Sequence, residues 1–384
     1  MSFKNVMGPE LAAAAPLWSQ YRDQFPVTER FVYLNHAAVA PLSRPAAERM
    51  ATLTQDVLCC GSFHYSQWLD AYRGLRDSAA RLIGAHSSEI ALLKNTSEGI
   101  ATIAMGTDWR PGDKIVAFNE EFPANSLPWL RLERKGVRIE WLSITDPLER
   151  IDQACAGARL LAISFVNFLS GFRVDLNAVG EICRRRGCFF FVDAIQGLGA
   201  FPLNVEESHI DALASDGHKW MLGPEGCGFL YVRKERQPEI EPVEFGWTNV
   251  ADFGNYASRD MTLRPDAGRY ECGTLNTVGC FGLDASIRLL LEVGVSRIAP
   301  HIQALADRIA EGVQRKGYQV LGQRTPESTS GIVAFRKPGT DCRDLVDKFE
   351  RAGVIVAPRQ GWVRTSPHFY ISPDEVDRML AELP

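Results

Sequence analysis

Apolar and polar residues follow two different periods along this chain. Short runs of four or five residues, either apolar throughout or alternating, predict β-strands, and the uncharged ones are typical of strands buried on both faces of a sheet. These predicted strands cover residues 31–34, 90–93, 114–118, 137–141, 160–164, 188–192, 210–214 and 331–335. Longer segments with helical periodicity predict helices over 17–26, 44–58, 68–83, 282–294 and 298–316, and further helices are expected to start near residues 97, 124, 146 and 175.

Strands and helices alternate from residue 89 onward, a rhythm that predicts an α/β fold with a mostly parallel sheet wrapped by helices. After about residue 280 the pattern changes to two longer amphipathic helices and then a smaller α+β portion. We therefore expect a large domain over 31–280 and a small C-terminal domain over 281–384. An N-terminal segment, residues 1–30, is expected to pack on the small domain.

Composition narrows the class of protein. The composition, 46% hydrophobic and 23% charged residues, is that of an ordinary globular protein. The length of 384 residues exceeds what one typical hydrophobic core holds, so two domains are expected. A net charge of -5 without a long Lys/Arg run argues against nucleic acid as a partner. Residues 1–16 make a poor signal peptide, and no stretch is apolar enough to span a membrane, so we expect a cytoplasmic protein.

The nine cysteines contain no paired C-x-x-C spacing. Scattered positions such as Cys183, Cys188, Cys227 and Cys280 are expected to be reduced and mostly buried. Zinc binding is disfavoured, and no metal site is predicted.

One stretch carries the candidate chemistry. The apolar strand over 188–192 leads into Asp193, and a second apolar segment over 210–214 leads into Lys219. The carboxyl ends of parallel strands open onto one crevice, so this carboxylate and this amine can meet there. Either residue alone has an ordinary explanation, as a turn-capping aspartate or a surface lysine. Their spacing together favours a shared site.

These two motifs, with Gly223 and Gly226 after them, resemble the class V aminotransferase family of pyridoxal-phosphate (PLP) enzymes, whose members include cysteine desulfurases, selenocysteine lyases and isopenicillin N epimerase. The resemblance covers residues 31–384 and implies fold type I, with a seven-stranded sheet. It also implies that Lys219 forms a Schiff base with the cofactor aldehyde, because a desolvated lysine amine condenses readily with one. Asp193 would keep the pyridine nitrogen protonated, so that the ring can draw electrons from a substrate carbanion.

The resemblance assigns further residues to the cofactor phosphate. Thr96, Ser97 and Glu98 resemble the family's phosphate loop, at a point where a helix starts and its free N–H groups attract an anion; a Thr or Ser there can also be only a helix cap. His218 resembles the family histidine beside the phosphate. Cysteine desulfurases place a serine where this chain has Asp216, so we assign the hydroxyl role to Ser215.

Asp216 we expect to point away, since an anion beside a phosphate is unfavourable.

Other positions correspond to groups around the ring. Phe122 stands where the family carries an aromatic residue over the ring, usually histidine in cysteine desulfurases. A phenyl face stacks but cannot exchange protons; the alternative is a core position. Asn167 and Gln196 match residues that approach the phenolic oxygen, to which an amide can donate. Both could instead be loop amides bonded to backbone.

The substrate side and the subunit interface are assigned in the same way. Arg364 resembles the arginine that holds the substrate α-carboxylate with two parallel hydrogen bonds; the alternative is a solvated arginine on an edge strand. Asn35 and His36 resemble the N-terminal signature near the substrate, although His36 could be an ordinary turn residue. Thr274 resembles a threonine that reaches the phosphate of the neighbouring subunit, which implies a homodimer with shared active sites. The alternative is a surface turn.

The resemblance leaves the reaction open. Persulfide-forming desulfurases carry a cysteine on a loop shortly before the carboxylate-binding arginine, and residues 354–363 contain none; the nearest one upstream is Cys342. We therefore place first an aminotransferase-type reaction on an amino acid. A C–S or C–Se lyase or an epimerase without the loop cysteine is second, and a non-catalytic PLP-binding protein is third.

Overall fold

The apolar runs of the sequence form the strands of the computed structural model, which describes residues 15–384. The strands are β1 Val32–Tyr33, β2 Ile90–Leu93, β3 Lys114–Phe118, β4 Arg138–Leu142, β5 Leu160–Ser164, β6 Phe189–Asp193, β7 Ala212–Asp216, β8 Gly228–Val232, β9 Gln319–Val320, β10 Val333–Arg336, β11 Val354–Ile355, β12 Ala357–Arg359 and β13 Trp362–Thr365. Each predicted strand corresponds to one of these within a few residues. β8, β9, β11 and β12 were not predicted.

The observed helices include all of those predicted from the sequence. They are α1 Leu17–Tyr21, α2 Arg44–Cys60, α3 Tyr65–Ile83, α4 Thr96–Gly106, α5 Leu127–Arg131, α6 Leu148–Cys155, α7 Leu176–Arg186, α8 Thr277–Val293, α9 Val295–Arg315, α10 Cys342–Arg351 and α11 Pro373–Ala381. The first is shorter than predicted, because single 3-10 turns replace α-helix after Tyr21. α8 begins five residues earlier than predicted, since the Asn276 side chain caps it by accepting from Gly279 N.

Seven strands form the large sheet, in the order β2-β8-β7-β6-β5-β3-β4. Neighbouring strands from β7 to β4 are parallel, and β8 runs antiparallel to both of its neighbours. The predicted α/β fold with a mostly parallel sheet is therefore confirmed. Strand β6 shows why it is central: Phe190 and Val192 enter one hydrophobic core and Phe189 and Phe191 enter the core on the other face.

The C-terminal part has its own four-stranded antiparallel sheet, ordered β12-β13-β10-β9. The N-terminal segment packs on this part, since β1 pairs with β11 and the Phe25 ring stacks on Tyr370 at 3.7 Å. Arg22 adds an ion pair to Glu375 at 2.6 Å. Residues 1–14, which include most of the stretch examined as a signal peptide, lie outside the described residues. The domain division near residue 280 stays a prediction.

Membrane insertion was not expected. Within residues 15–384, every helix is too short or too polar to cross a lipid bilayer.

Helix α4 lies so close to β7 that only glycine fits at their contact. A Cβ on Gly99 would stand 2.7 Å from the Ala214 Cβ. α4 starts at Thr96 and β7 ends at Asp216. This contact therefore fixes the distance between the start of the helix and the end of the strand, both of which carry candidate site residues.

We expect Gly99→Ala to destabilise the protein by about 1–3 kcal/mol through overpacking. Alanine is the better helix former by about 1 kcal/mol, so a net loss would show that the contact outweighs helix propensity. Urea unfolding measures the effect, and Gly254→Ala is the control, because a Cβ there meets no atom within 4 Å. Equal stability of the two variants would contradict the prediction.

Candidate active site

A cavity of about 210 Å³ opens where β5, β6 and β7 end, beside the first turn of α4. The ends of parallel strands meet at one sheet edge, which is why residues far apart in sequence reach this cavity. Half of the sequence-predicted site residues line it: Thr96, Ser97, Phe122, Asp193, Gln196, His218 and Lys219. Ser164, Val166, Phe168 and Asp216 also contribute to its wall.

Asp193 and Lys219 both line this cavity, and the charge of each affects the pKa of the other. Burial raises the pKa of the Asp193 carboxyl to about 6, while Ile195 N at 3.1 Å and the charge of Lys219 oppose that rise. Burial also lowers the pKa of the Lys219 amine to about 8, with Asp193 opposing the shift and Arg364 adding to it. A lysine with this pKa is partly neutral near pH 8, as a nucleophilic amine must be.

The start of α4 presents free donors to the cavity. Asn95 caps the helix, since its Oδ1 accepts from Glu98 N at 2.9 Å. The alternative that Thr96 or Ser97 is the cap is therefore wrong. Among the described residues, no group accepts from the backbone N–H of Thr96 or Ser97, and the Ser97 side chain is exposed. Two free N–H groups and a hydroxyl at a helix start are suited to an anion.

Glu98 is directed elsewhere. Its Oε2 accepts from Lys94 N at 2.7 Å, its Oε1 lies 3.2 Å from Lys94 Nζ, and it lines a different cavity. The carboxylate thus closes the loop before α4, and a like-charged phosphate gains nothing from it.

The expected orientations of Ser215 and Asp216 are wrong. Side chains alternate along β7, so Asp216 lies on the same face as Ala214 and reaches the cavity, whereas Ser215 lies on the face of Leu213. Ser215 is buried and its Oγ donates to the carbonyl of Asp216 at 3.4 Å.

His218 and Asp216 form a pair on the cavity wall. The Asp216 Oδ2 lies 3.1 Å from His218 Nδ1, close enough for an ion pair but without the alignment of a hydrogen bond. Backbone N–H of Asp216 donates to Thr96 Oγ1 at 2.9 Å, which ties the end of β7 to the start of α4. An anion bound on this wall would lie beside the Asp216 carboxylate as well as the His218 ring.

The two predicted amides are in different places. Gln196 lines the cavity, with its Nε2 donating to Ala37 O and its Oε1 accepting from Trp220 Nε1, both at 3.0 Å. Asn167 does not line it, although Val166 and Phe168 on either side do. The Asn167 amide donates to Glu120 O at 2.7 Å and accepts from Ser170 N at 2.9 Å. Asn167 is therefore a loop amide bonded to the backbone, which was the alternative to contact with the cofactor.

On the substrate side, Arg364 is 2% exposed and donates to Phe168 O at 2.7 Å. It is therefore not a solvated arginine on an edge strand. Its Nε is buried and has no partner among the described residues. Burial, and then the neighbouring charge of Arg359, lower the pKa of the guanidinium to about 9. A buried cation with an unpaired donor, held by the residue that walls the cavity, is suited to a carboxylate.

The prediction that His36 binds the substrate is wrong. The ring is fully buried, and its two nitrogens lie 2.7 Å from Ser366 O and 2.6 Å from Tyr370 Oη. Burial lowers its pKa to about 4, so it is neutral in the core between the N-terminal turn and the C-terminal part. The neighbouring Asn35 has a buried Oδ1 without a partner among the described residues and does not line the cavity.

Thr274 lies apart from the cavity within one chain. It is exposed and lines a separate depression together with Lys94 and Glu98.

The sequence analysis did not predict Glu121, which immediately precedes Phe122. This buried carboxylate accepts from Ser164 N at 2.6 Å and also bonds the Ser164 hydroxyl. Ser164 is paired in register with Asp193, so two carboxyl groups meet at the ends of β5 and β6. Burial, reinforced by Asp193, raises the pKa of Glu121 to about 7. A second acid beside Phe122 was visible in the sequence, but nothing there indicated that it is buried.

Three cysteines form a cluster away from the cavity. The sulfur atoms of Cys155, Cys183 and Cys188 lie within 4.8 Å of one another, and all three residues are buried. Cys183, Cys188, Cys227 and Cys280 are free and buried, as the sequence predicted. The sequence spacing gave no sign that three of the nine would converge.

Comparison with known proteins places this site in a family. The family model described as Aminotransferase class-V matches residues 32–378. The chain is 31% identical over 382 residues to a probable cysteine desulfurase of Methanothermobacter thermautotrophicus, covering 92% of this chain and 94% of the relative. It is 28% identical to an isopenicillin N epimerase of Streptomyces clavuligerus, with 94% and 96% covered. The apo structure of a cysteine desulfurase from Thermococcus onnurineus NA1 superposes with a TM-score of 0.89 at 28% identity, over 96% of this chain and 98% of that one.

The chain belongs to the class V aminotransferase family, and the family resemblance predicted from the sequence is confirmed. Its members are enzymes of the transferase or lyase type that use PLP, which is the predicted cofactor. The residues present fit that cofactor: Lys219 offers an amine for its aldehyde, Asp193 a carboxylate for its ring nitrogen, and the first turn of α4 free N–H groups for its phosphate.

The buried Glu121 predicts a pH dependence of stability. Its pKa is higher in the folded than in the unfolded state, so the folded protein binds the extra proton and the carboxyl stabilises the fold most below about pH 4.5. That contribution is lost as the pH rises through about 7. We expect the unfolding free energy of the wild type, relative to Glu121→Gln, to fall by about 3 kcal/mol over this range.

Urea unfolding of the cofactor-free proteins at a series of pH values measures this difference. Glu120→Gln, the exposed neighbour, is the matched control. Parallel pH curves for the wild type and Glu121→Gln would show that the carboxyl does not titrate in this way.

Proposed function

We propose that the protein is a PLP-dependent aminotransferase-type enzyme that acts on an α-amino acid through Lys219. The observation that carries this proposal is that an amine with a lowered pKa and a buried carboxylate line one cavity, while a buried arginine outside its lining donates to Phe168 of its wall. When bound, the cofactor would accept the electron pair that remains when the bond between the substrate α-carbon and its proton breaks. The residues of the chain position the substrate and move the proton.

Lys219 is the group best placed to move that proton. Its Nζ lies 5.9 Å from the centre of the Phe122 ring, which covers one side of the cavity and cannot itself exchange protons. A base works best when its pKa is near the working pH, and a value of about 8 meets that condition. A single lysine that takes a proton at one carbon and returns it at another is sufficient for transamination.

Arg364 would set the direction of the substrate. Its guanidinium is buried, and one nitrogen is already fixed on Phe168 O, so a carboxylate that binds the remaining donors is held in one orientation. Solvent exclusion strengthens this contact, because the arginine is 2% exposed in the free protein.

The hairpin before Arg364 argues against a persulfide-forming desulfurase. β12 and β13 are joined by only Gln360 and Gly361, both with positive φ (48° and 82°), the signature of a tight two-residue turn. A mobile cysteine-bearing loop does not fit into this connection. Cys342 opens α10 and Cys272 lies 3.4 Å from Glu244, and neither lines the cavity.

A lyase without an acceptor cysteine is the second candidate, because the curated relatives include probable cysteine desulfurases. In an elimination, the leaving group would take its proton from a residue that lines the cavity. Among its described lining residues, the titratable groups besides Lys219 and His218 are Asp193 and Asp216, and Asp193 is assigned to the cofactor.

The assay offers single amino acids to the PLP-loaded enzyme, first without and then with a keto acid. We expect the first step to give pyridoxamine phosphate and the matching keto acid in equal amounts, with turnover only when a keto acid is added. Cys342→Ala and Cys272→Ala should act like wild type, and Lys219→Ala should be inactive. Formation of pyruvate and ammonia without amination of the cofactor would replace this proposal by the lyase. Exchange of the α-proton alone would indicate an epimerase.

We also propose that two subunits share their active sites, with Thr274 contributing to the partner's phosphate site. Thr274 is exposed and remote from the cavity of its own chain, which is what a residue serving a neighbour requires. Trp247 (48% exposed), whose indole nitrogen would lie 3.6 Å from a Cβ on the adjacent Gly273, and Tyr256 (85% exposed) are large exposed apolar side chains of the kind found at interfaces.

Mixing two inactive variants tests this sharing. Lys219→Ala lacks the amine, and Thr274→Asp should repel the partner's phosphate. In a hybrid dimer one site has both native residues, so mixing under exchange conditions should restore roughly a quarter of the wild-type activity. Thr340→Asp, the same substitution at an exposed turn of the C-terminal part, is the control for added charge. Absence of recovery in proven hybrids would place Thr274 in its own subunit's site, and an active Thr274→Asp homodimer would place it outside any site.

A further inference from the structure

We infer that Cys155, Cys183 and Cys188 form a binding site for one soft metal ion, copper(I), held by three thiolates. The site lies outside the cavity that Lys219 and Asp193 line. The inference therefore does not depend on the proposed function, and the two can fail independently.

The three cysteines come from three different elements that meet just below the surface. Cys155 is the last residue of α6, Cys183 lies in the last turn of α7, and Cys188 immediately precedes β6. The backbone N–H of Cys188 donates to the carbonyl of Cys183 at 2.9 Å, which fixes the short return from helix to strand. An ion pair between Asp152 and Arg185, at 3.1 Å, holds the end of α6 against the end of α7. The thiols are thus brought together by contacts that do not involve the sulfur atoms.

The sulfur atoms are spaced for a single ion. They lie within 4.8 Å of one another, so the centre of their triangle is at most about 2.8 Å from each sulfur, whereas a metal–thiolate bond is about 2.3 Å long. An inward shift of about 0.5 Å at each sulfur completes the three bonds. Among the described residues, no further His, Cys, Asp or Glu joins this group.

The number and kind of ligands select the ion. Structural zinc sites are almost always four-coordinate, and catalytic zinc sites add a water molecule to three protein ligands. Here the group has three members within residues 15–384, and all three thiols are shut off from solvent. Hard ions such as Mg²⁺ and Ca²⁺ require oxygen ligands. Soft thiolate ligands select copper(I), which accepts three sulfur atoms without a water.

The surroundings favour a deprotonated cluster. The pKa of the Cys155 thiol lies well below its ordinary value, because Cys183 and then Cys188 direct their thiols at its sulfur and Lys114 adds a positive charge. The Lys114 Nζ is fixed there, since it donates to the carbonyl of Ala156 at 3.0 Å. A metal ion between the sulfur atoms takes the place of the thiol protons, which are released when it binds.

The position of the cluster indicates what the ion does. Cys188 precedes the first residue of β6 and Asp193 is its last, so the metal site and the candidate active site lie at opposite ends of one strand, about 17 Å apart along it. An ion there ties α6, α7 and β6 together. It stabilises the folded protein, which binds it better than the unfolded chain does, and takes no part in the reaction.

The first experiment measures copper(I) binding by competition with bathocuproine disulfonate, a coloured copper(I) chelator. The PLP-loaded enzyme is kept reduced and free of oxygen. The thiols that are not buried are removed in the background protein by four substitutions: Cys59→Ser, Cys60→Ser, Cys272→Ser and Cys342→Ser. We expect this background protein to bind one copper(I) ion per chain, with a rise in its thermal unfolding temperature and no change in the absorbance of the bound cofactor.

Alanine variants in this background assign the ligands. Cys155→Ala, Cys183→Ala and Cys188→Ala should each weaken copper(I) binding by about a hundredfold or more, since loss of a ligand exceeds the ten- to hundredfold loss of a residue that only supports one. Cys280→Ala is the matched control, because Cys280 is also a buried thiol but lies 3.9 Å from Cys227, outside the cluster.

X-ray absorption at the copper edge tests the site without relying on how well the variants fold. We expect three sulfur neighbours at about 2.3 Å. Two sulfur neighbours, or nitrogen and oxygen neighbours, would overturn the inference.

Three further results would also overturn it. The first is equal binding of copper(I) by the background protein and all three alanine variants. The second is a loss confined to Cys280→Ala, which would assign the ion to the pair of Cys227 and Cys280. The third is a disulfide between two cysteines of the cluster in protein isolated without oxygen, detected by mass spectrometry, which would make the cluster a redox pair.

Discussion

The site depends on one constraint: a carboxylate and an amine are held in a dry crevice at the ends of parallel strands, each shifting the other's charge. Asp193 is held because β6 is packed on both faces, so its last residue has no freedom to turn away. Lys219 follows β7 after a short turn, and its amine loses hydration by burial. Each charge opposes the effect of burial on the other, so the pair tolerates a place where either alone would be neutral.

The elements around Asp193 and Lys219 contribute different kinds of polar group. Helix α4 supplies free N–H groups, and a glycine at its contact with β7 lets it approach. The hairpin of the C-terminal part supplies positive charge from the opposite direction, through Arg364 and its neighbour Arg359. Glu121 stands behind Ser164 as a third buried acid, which links the segment that carries Phe122 to the end of β5. The cavity thus has an anion-binding side near α4 and a cationic side near the hairpin.

Much of this arrangement was predictable, and the errors have physical reasons. The strands that end in Asp193 and Asp216 were predicted because fully buried strands are uninterrupted apolar runs, whereas β8 was missed although it is equally buried. The choice of Ser215 over Asp216 failed since chemical preference was put before side-chain alternation along β7. His36 was placed at the substrate because a turn in sequence does not reveal that its ring is enclosed by Tyr370 and Ser366. Long-range packing of this kind leaves no local mark in the sequence.

The two-residue turn at Gln360 and Gly361 has a consequence for what happens to a departing group. Enzymes that pass an atom to a carrier protein need a tethered arm that swings between the reaction centre and the outside. Here the chain turns back at once and is held by strand pairing on both sides. The hairpin itself therefore provides no arm of this kind.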